Sequence, residues 1–159
     1  MDTFSSMRSI ATNRHVERDE LEDFVRDRHR AVLLTTRRDG RPQASLVTTG
    51  LSDGRLLVSS YPERAKVHNV VHEPASSMVV MSDEFNGEWV QVDGRATVSF
   101  LPDALEELVE YFRCISGEHP DWDEYREAMV TQGKCVIRLS IERWSPIAKG
   151  GFPARLADD

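Results

Sequence analysis

Only two cysteines, Cys114 and Cys135, occur in the 159 residues. That excludes a disulfide framework, and both sit in apolar runs that read as small buried hydrophobes. No apolar run approaches the ~18 residues that a membrane-spanning helix needs, and no signal-peptide core is present. A cytoplasmic protein with no membrane segment is expected. There is no Walker loop, no G-x-G-x-x-G turn and no convincing Ser-His-Asp order. If the protein is an enzyme, its chemistry belongs to a bound cofactor, and no catalytic side chain is assigned. Positive charge is scarce, since the formal net charge is −7. Duplex nucleic acid requires a basic face to displace counterions, so it is not expected as a partner. Metal-ligand spacing is missing as well. His68 and His72 stand i,i+4, but no third Cys, His or acid completes a site, and no metal is expected.

What is present is a 40% hydrophobic, 30% charged composition, suited to one globular domain with a sizeable core. Residues 1–16 read as a flexible arm, 17–147 as the domain and 148–159 as a C-terminal tail. Leu21, Phe24 and Val25 fall at helical spacing within 17–29. The period then changes to strand-like runs at 31–36, 42–49 and 56–60. Arg37-Arg38-Asp39-Gly40 and Ser52-Asp53-Gly54 mark tight turns between them, a three-stranded meander. A helix opening at Pro62 and ending near Glu73-Pro74 would bury Val67, Val70 and Val71. Strands follow at 77–81, 88–92 and 95–100, with Asp93-Gly94 read as a turn between the last two. Pro102 opens a helix whose apolar face is Leu105, Leu108, Val109 and Phe112. Asp121 is a fair N-cap for another over 121–131, with Glu124 three residues on. A last strand covers 135–141. Many short strands joined by tight turns predict a mainly β fold with peripheral α-helices, a closed or nearly closed antiparallel barrel.

One conflict in this pattern points to function. In "SSYPERAKVHN" (Ser59 to Asn69) two cations, Arg64 and Lys66, occupy a helix start, where the dipole disfavours them. An anion would remove that penalty. Unsatisfied backbone N–H groups, the two cations and the hydroxyls of Ser59 and Ser60 would make a phosphate-sized site. The plainer alternative is two solvated surface charges. Arg64 and Lys66 are i,i+2 and diverge on a regular helix, so both reach one ligand only if Arg64 lies at a non-helical entrance. Gln43 and Ser45 share one face of a strand, where a polar pair suits either the edge of a planar heterocycle or plain solvent. Trp89 and Trp144 read as core residues or stacking platforms. Arg37, Arg38 and Arg41 are either a cationic exit from a cleft or a solvated hairpin tip.

These residues resemble the pyridoxamine 5′-phosphate oxidase-like split β-barrel family of flavin and deazaflavin proteins. "GRPQASLV" (Gly40 to Val47) resembles that family's second strand. "SSYPERAKVHNVVHEPASSMVV" (Ser59 to Val80) resembles its phosphate-binding turn, helix and next strand. "EWVQVDGRATV" (Glu88 to Val98) resembles the following hairpin, and "ERW" (Glu142 to Trp144) the last strand. "RAKVHN" and "GEHPDWDEYREAMV" (Gly117 to Val130) are most similar to the actinobacterial branch that uses coenzyme F420. The resemblance implies a homodimer with cofactor clefts at the interface. It implies that Arg64, Lys66, Ser59 and Ser60 hold the cofactor phosphate. Gln43, Ser45 and Val47 would line the ring, and Trp89 of the partner hairpin would lie over it. The implied activity is hydride transfer between F420 and an electron-poor small-molecule acceptor. The alternatives are an FMN-binding, pyridoxamine 5′-phosphate oxidase-related oxidoreductase, and a non-enzymatic cofactor-binding or haem-handling protein. Pyridoxamine phosphate oxidases proper carry Arg where this chain has Ser45, and a Trp paired with a nearby Arg-Leu-His. Trp144 has no such partner here, which favours deazaflavin over FMN.

Overall fold

The computed structural model describes residues 9–157. The strands are β1 (Thr12–Arg14), β2 (Arg30–Thr36), β3 (Pro42–Thr48), β4 (Gly50–Ser52), β5 (Arg55–Ser60), β6 (Ala75–Met81), β7 (Trp89–Ser99), β8 (Cys135–Trp144) and β9 (Ile147–Lys149). The helices are α1 (Arg18–Arg26), α2 (Ala65–His72), α3 (Leu105–Ser116) and α4 (Trp122–Gln132). The strands form one antiparallel sheet in the order β3-β2-β6-β7-β8-β5-β4, with β9 joined to β7 and β1 paired with β9. This is the mainly β, antiparallel split-barrel class the sequence predicts.

The expected three-stranded meander does not form. β3 pairs with β2 at one edge, and β4 and β5 sit at the other. One residue, Thr49, joins the two edges. Its N–H donates to His29 O at 2.8 Å and its hydroxyl to Leu57 O at 2.9 Å. Sequence neighbours usually pair, but here the sheet curls until its two edges become one bent chain.

Two cores result. The barrel interior packs Leu33, Leu56, Val58, Met78, Val80, Val92, Ile137 and Leu139 against Leu21, Phe24 and Val25 of α1 and Val67 and Val70 of α2. A second core lies outside β5 and β8, where Leu57 and Val136 meet Leu108, Val109 and Tyr125 of α3 and α4. Successive residues Leu56, Leu57 and Val58 are therefore all buried, and β5 does not alternate. Among the described residues, the outer face of β3, β2 and β6 has no such cover. Leu46, Val32 and Val79 stand opposite one another across three strands and belong to neither core.

Four further expectations are corrected. Pro62 does not open α2, because Arg64 N–H bonds Tyr61 O at 3.1 Å and makes Pro62 the second residue of a turn. Val71 is 65% exposed, since α2 is only eight residues long and its buried stripe narrows to Val67 and Val70. Pro102 likewise precedes α3 in a turn, leaving Leu105 only half-buried at the first helical position. Asp93-Gly94 is a bulge rather than a turn, within one strand of 11 residues. A Cβ on Gly94 would fall 1.6 Å from Ser140 O, so only glycine admits the neighbouring strand there. The α4 start follows expectation, with Asp121 accepting from Glu124 N–H at 3.1 Å. Residues 1–8 of the expected arm and 158–159 of the tail lie outside the described residues.

Candidate functional site

Arg64 is the N-cap of α2, with extended backbone (φ −73°, ψ 145°). It stands at the non-helical entrance, the one arrangement in which it and Lys66 reach a common ligand. The first turn of α2 holds no acid, and no side chain caps its start. A third cation joins them. Lys134 Nζ lies 4.3 Å from the centre of the Tyr61 ring, and Arg64 Cζ lies 5.7 Å from the same ring. Among the described residues, none of these three cations makes an ion pair. Lys66 titrates below its ordinary value. Partial burial and the Arg64 charge push it down, helped by Lys134 and opposed by the Cys135 thiol.

Ser60 ends β5 beside this cluster and is 3% exposed, yet its hydroxyl has no hydrogen-bond partner. It pairs in register with Cys135, whose thiol is raised by burial while Lys66 draws it down. A buried hydroxyl with no partner is costly. Ser59 faces the other way by the strand's pleat, half-buried beside Tyr111.

Gln43, Ser45 and Val47 occupy the inner face of β3, half-buried, with Ala44 and Leu46 outside. A chain of hydrogen bonds ties them to α2. Asn69 Nδ2 donates to Thr35 Oγ1 at 3.1 Å, Thr35 Oγ1 to Gln43 Oε1 at 2.9 Å, and Gln43 Nε2 to Ser45 Oγ at 2.8 Å. Every link runs the same way, so Ser45 accepts and retains its own O–H as a donor. Lys66 and Asn69 are i,i+3 and share one face of α2. The hydrogen-bond chain thus ties the polar inner face of β3 to the helix that carries Lys66.

The family model described as pyridoxamine 5′-phosphate oxidase matches residues 18–148. The chain belongs to the pyridoxamine 5′-phosphate oxidase family. Solved structures share its fold at low identity. A conserved hypothetical protein of Mycobacterium tuberculosis is 19% identical with TM-score 0.71, covering 87% of this chain and 89% of that one. An F420 reductase is 18% identical with TM-score 0.59, covering 78% and 94%. A haem storage protein of Vibrio cholerae is 19% identical with TM-score 0.61, covering 83% and 95%. The fold is thus shared with an F420 reductase and with a haem storage protein. No helix among the described residues is long and apolar enough to cross a membrane.

In this family member Trp89 is remote from the cations. It is 38% exposed and lines a cavity of about 930 Å³ with Val79, Met81, Phe85, Lys149 and Phe152. Trp89 begins β7 and Ser99 ends it, opposite Val136 and next to the Lys66 end of the barrel. At ~3.3 Å per residue the separation is roughly 30 Å. Trp144 packs against the barrel core and donates from Nε1 to Val16 O at 2.9 Å. Arg37 and Arg38 are exposed at the hairpin tip, and Arg41 lies 4.0 Å from Asp39.

Sequence reasoning assigned no role to Tyr61, Lys134, Thr35 or Asn69. Asn69 carried a signal, its i,i+3 relation to Lys66. Lys134 faces Tyr61 only because β5 and β8 pair, a contact across more than seventy residues.

Proposed function

We propose that this chain is an F420-dependent oxidoreductase of the cytoplasm, working as a homodimer and reducing an electron-poor small-molecule acceptor. One observation carries the reading: Arg64 and Lys66, without an ion pair among the described residues, stand at the start of α2 near the strand end that holds the unpartnered Ser60 hydroxyl, and Asn69 of the same helix is hydrogen-bonded through Thr35 to Gln43 and Ser45. When bound, the deazaflavin supplies the hydride chemistry. The chain's own residues hold and orient it. Arg64 and Lys66 bind the phosphate through charge-assisted bonds, and Ser60 donates its hydroxyl proton to a phosphate oxygen. Ser59 fixes the strand end from the opposite face. Gln43 and Ser45 meet the ring edge, with the Ser45 O–H as donor, and Val47 meets the ring face. Positioning and water exclusion then do the protein's share of the work. The absence of a cation at Ser45 favours an acceptor without a phosphate of its own.

A second copy completes the cleft in this reading. The row Leu46, Val32 and Val79 is an apolar strip, and Leu46 is 85% exposed, as suits a self-association face. The partner's Trp89 hairpin would then cover the site, as the family resemblance implies. FMN is the alternative cofactor, carrying its phosphate on a more compact ligand. Haem handling has less support: His68 and His72 are exposed, and His29 and His119 use Nδ1 to bond the backbone at Thr49 and Asp121.

Titration of the purified protein with F420, FMN and haem, followed by absorbance and fluorescence, tests the reading. F420 should bind most tightly, and Arg64→Ala or Lys66→Ala should each weaken it by about ten-fold or more. Preference for FMN or haem, or unchanged affinity in both variants, would overturn it.

A further inference from the structure

We infer that Lys134, seated on the Tyr61 ring, is a third anion-binding residue of the cleft, so that the cleft takes a phosphoryl group accompanied by a second negative charge. This deepens the cofactor reading above and rests on it.

The backbone of Lys134 is held from both sides. Gly133 ends α4 in the left-handed region at φ +69°, where a side chain is strained. Gly133 N–H donates to Val130 O at 3.1 Å and Lys134 N–H to Met129 O at 3.2 Å, the paired bonds of a Schellman motif. The next residue, Cys135, is locked opposite Ser60 in the sheet. Lys134 is therefore placed against Tyr61 rather than left on a loose loop. Its side chain is half-buried, with the ammonium 4.3 Å from the Tyr61 ring centre. Arg64 approaches the same ring, so one aromatic platform gathers two cations.

Three cations within reach of one another repel. Burial lowers Lys66 most, and the charges of Arg64 and Lys134 lower it further. The acid closest in sequence, Glu63, lies near enough to act on Cys135 but makes no ion pair with any of the three. The unpartnered Ser60 hydroxyl lies on the strand residue opposite Cys135, on which Lys66 and Lys134 both act. No ion pair among the described residues offsets this charge, and a ligand anion would. A phosphodiester alone carries one negative charge, too few for three cations. The shared chemistry is a phosphoryl group plus one more charge. In FMN that charge is the second ionisation of a phosphomonoester. In F420 it is a carboxylate beyond the diester.

The test compares wild type with Lys134→Ala, Lys134→Arg and Tyr61→Leu at low salt. Probes are pyrophosphate, by thermal shift, and two ligand pairs by fluorescence: F420 with its phosphate-free deazaflavin, and FMN with riboflavin. Lys134→Ala should weaken pyrophosphate and the phosphorylated cofactor by about ten-fold, and leave the phosphate-free ring unchanged. Lys134→Arg should restore most of the loss, and Tyr61→Leu should reproduce part of it. A loss confined to F420 assigns the second charge to a carboxylate, and one confined to FMN assigns it to a dianionic phosphoryl group. Stabilisation by pyrophosphate that depends on Lys134, in a protein that binds neither cofactor, would fail the cofactor reading and leave the anion site standing. Equal pyrophosphate and cofactor affinities in wild type and Lys134→Ala, or an equal loss for the phosphate-free ring, would overturn it.

Discussion

Asn69 and Thr35 are 34 residues apart, and the bond from Asn69 Nδ2 to Thr35 Oγ1 joins the cation-bearing helix to the strands that present Gln43 and Ser45. Thr35 is 2% exposed and passes the bond on to Gln43 Oε1 at 2.9 Å. The two halves of the proposed site, α2 and the inner face of β3, are therefore tied to each other. Their connection is a buried hydroxyl whose two roles, acceptor and donor, are both used.

Replacing that hydroxyl should separate the halves. Thr35→Val leaves Gln43 Oε1 and Asn69 Nδ2 without partners and should lower unfolding free energy by about 1–3 kcal/mol in urea titration. Ring affinity should fall with it. Thr35→Ser, which keeps the oxygen, should stay close to wild type on both measures.

Lys66 gives a pH signature. Its folded pKa lies below the ordinary 10.5, so between the two values the unfolded chain binds more protons than the folded one. Stability of the ligand-free protein should rise with pH through that window, as the penalty on the charged ammonium is relieved. Lys66→Met should flatten the rise and increase the neutral-pH melting temperature by about one or two degrees. Calorimetry from neutral pH to about 10.5 reads both effects. The same variant should lose stabilisation by phosphate.

Leu46→Asp should dissociate the proposed dimer without unfolding the chain, because Leu46 is 85% exposed and outside both cores. An apolar anchor worth ~2 kcal/mol predicts about 30-fold weaker association, measured by sedimentation velocity. An unchanged sedimentation coefficient would remove this face from the interface.

Two glycines should respond differently to alanine. Gly94→Ala drives a Cβ into Ser140 O and should cost more than about 3 kcal/mol or abolish soluble expression. Gly40 has φ +86° but nothing within 4 Å of a new Cβ. Gly40→Ala should cost only about 1–2 kcal/mol, the backbone penalty alone, in the same denaturation assay.

The thiols should be inert in the folded state. Burial pushes Cys114 up to about 11, and Cys135 is raised by burial despite the nearby Lys66 charge. Since thiolate is the reactive form, alkylation at neutral pH should be far slower than in the unfolded chain, with mass spectrometry as the readout.

Local chemistry made much of this legible. Asp39-Gly40 and Asp53-Gly54 turn where their residue types predict, with Asp53 and Gly54 at φ +50° and +72°. Leu21, Phe24 and Val25 are buried at the helical spacing that announces them. The proposed anion site was visible as a local contradiction, two cations where a helix start favours acids. Its geometry was less visible. Pro62 reads equally well as a first helical residue or as the second residue of a turn. The choice falls to one bond, Arg64 N–H to Tyr61 O. That bond also places Arg64 at the entrance, where it can act with Lys66.

The amino-acid sequence determined by itself the strand and helix content, most of the turns, the family motifs and the pair of cations at the start of α2. These depend on residues within a few positions of one another, whose steric and hydrogen-bond preferences act locally. Only the tertiary structure decided that Thr49 joins the sheet's two edges, that Ser60 rather than Ser59 faces the cations, that Lys134 is the third cation, and that Trp89 lies at the far end of β7. Each of these depends on which distant strands pair and how the sheet closes. That choice is made by burial and register summed over the whole barrel, and no short stretch of sequence contains it.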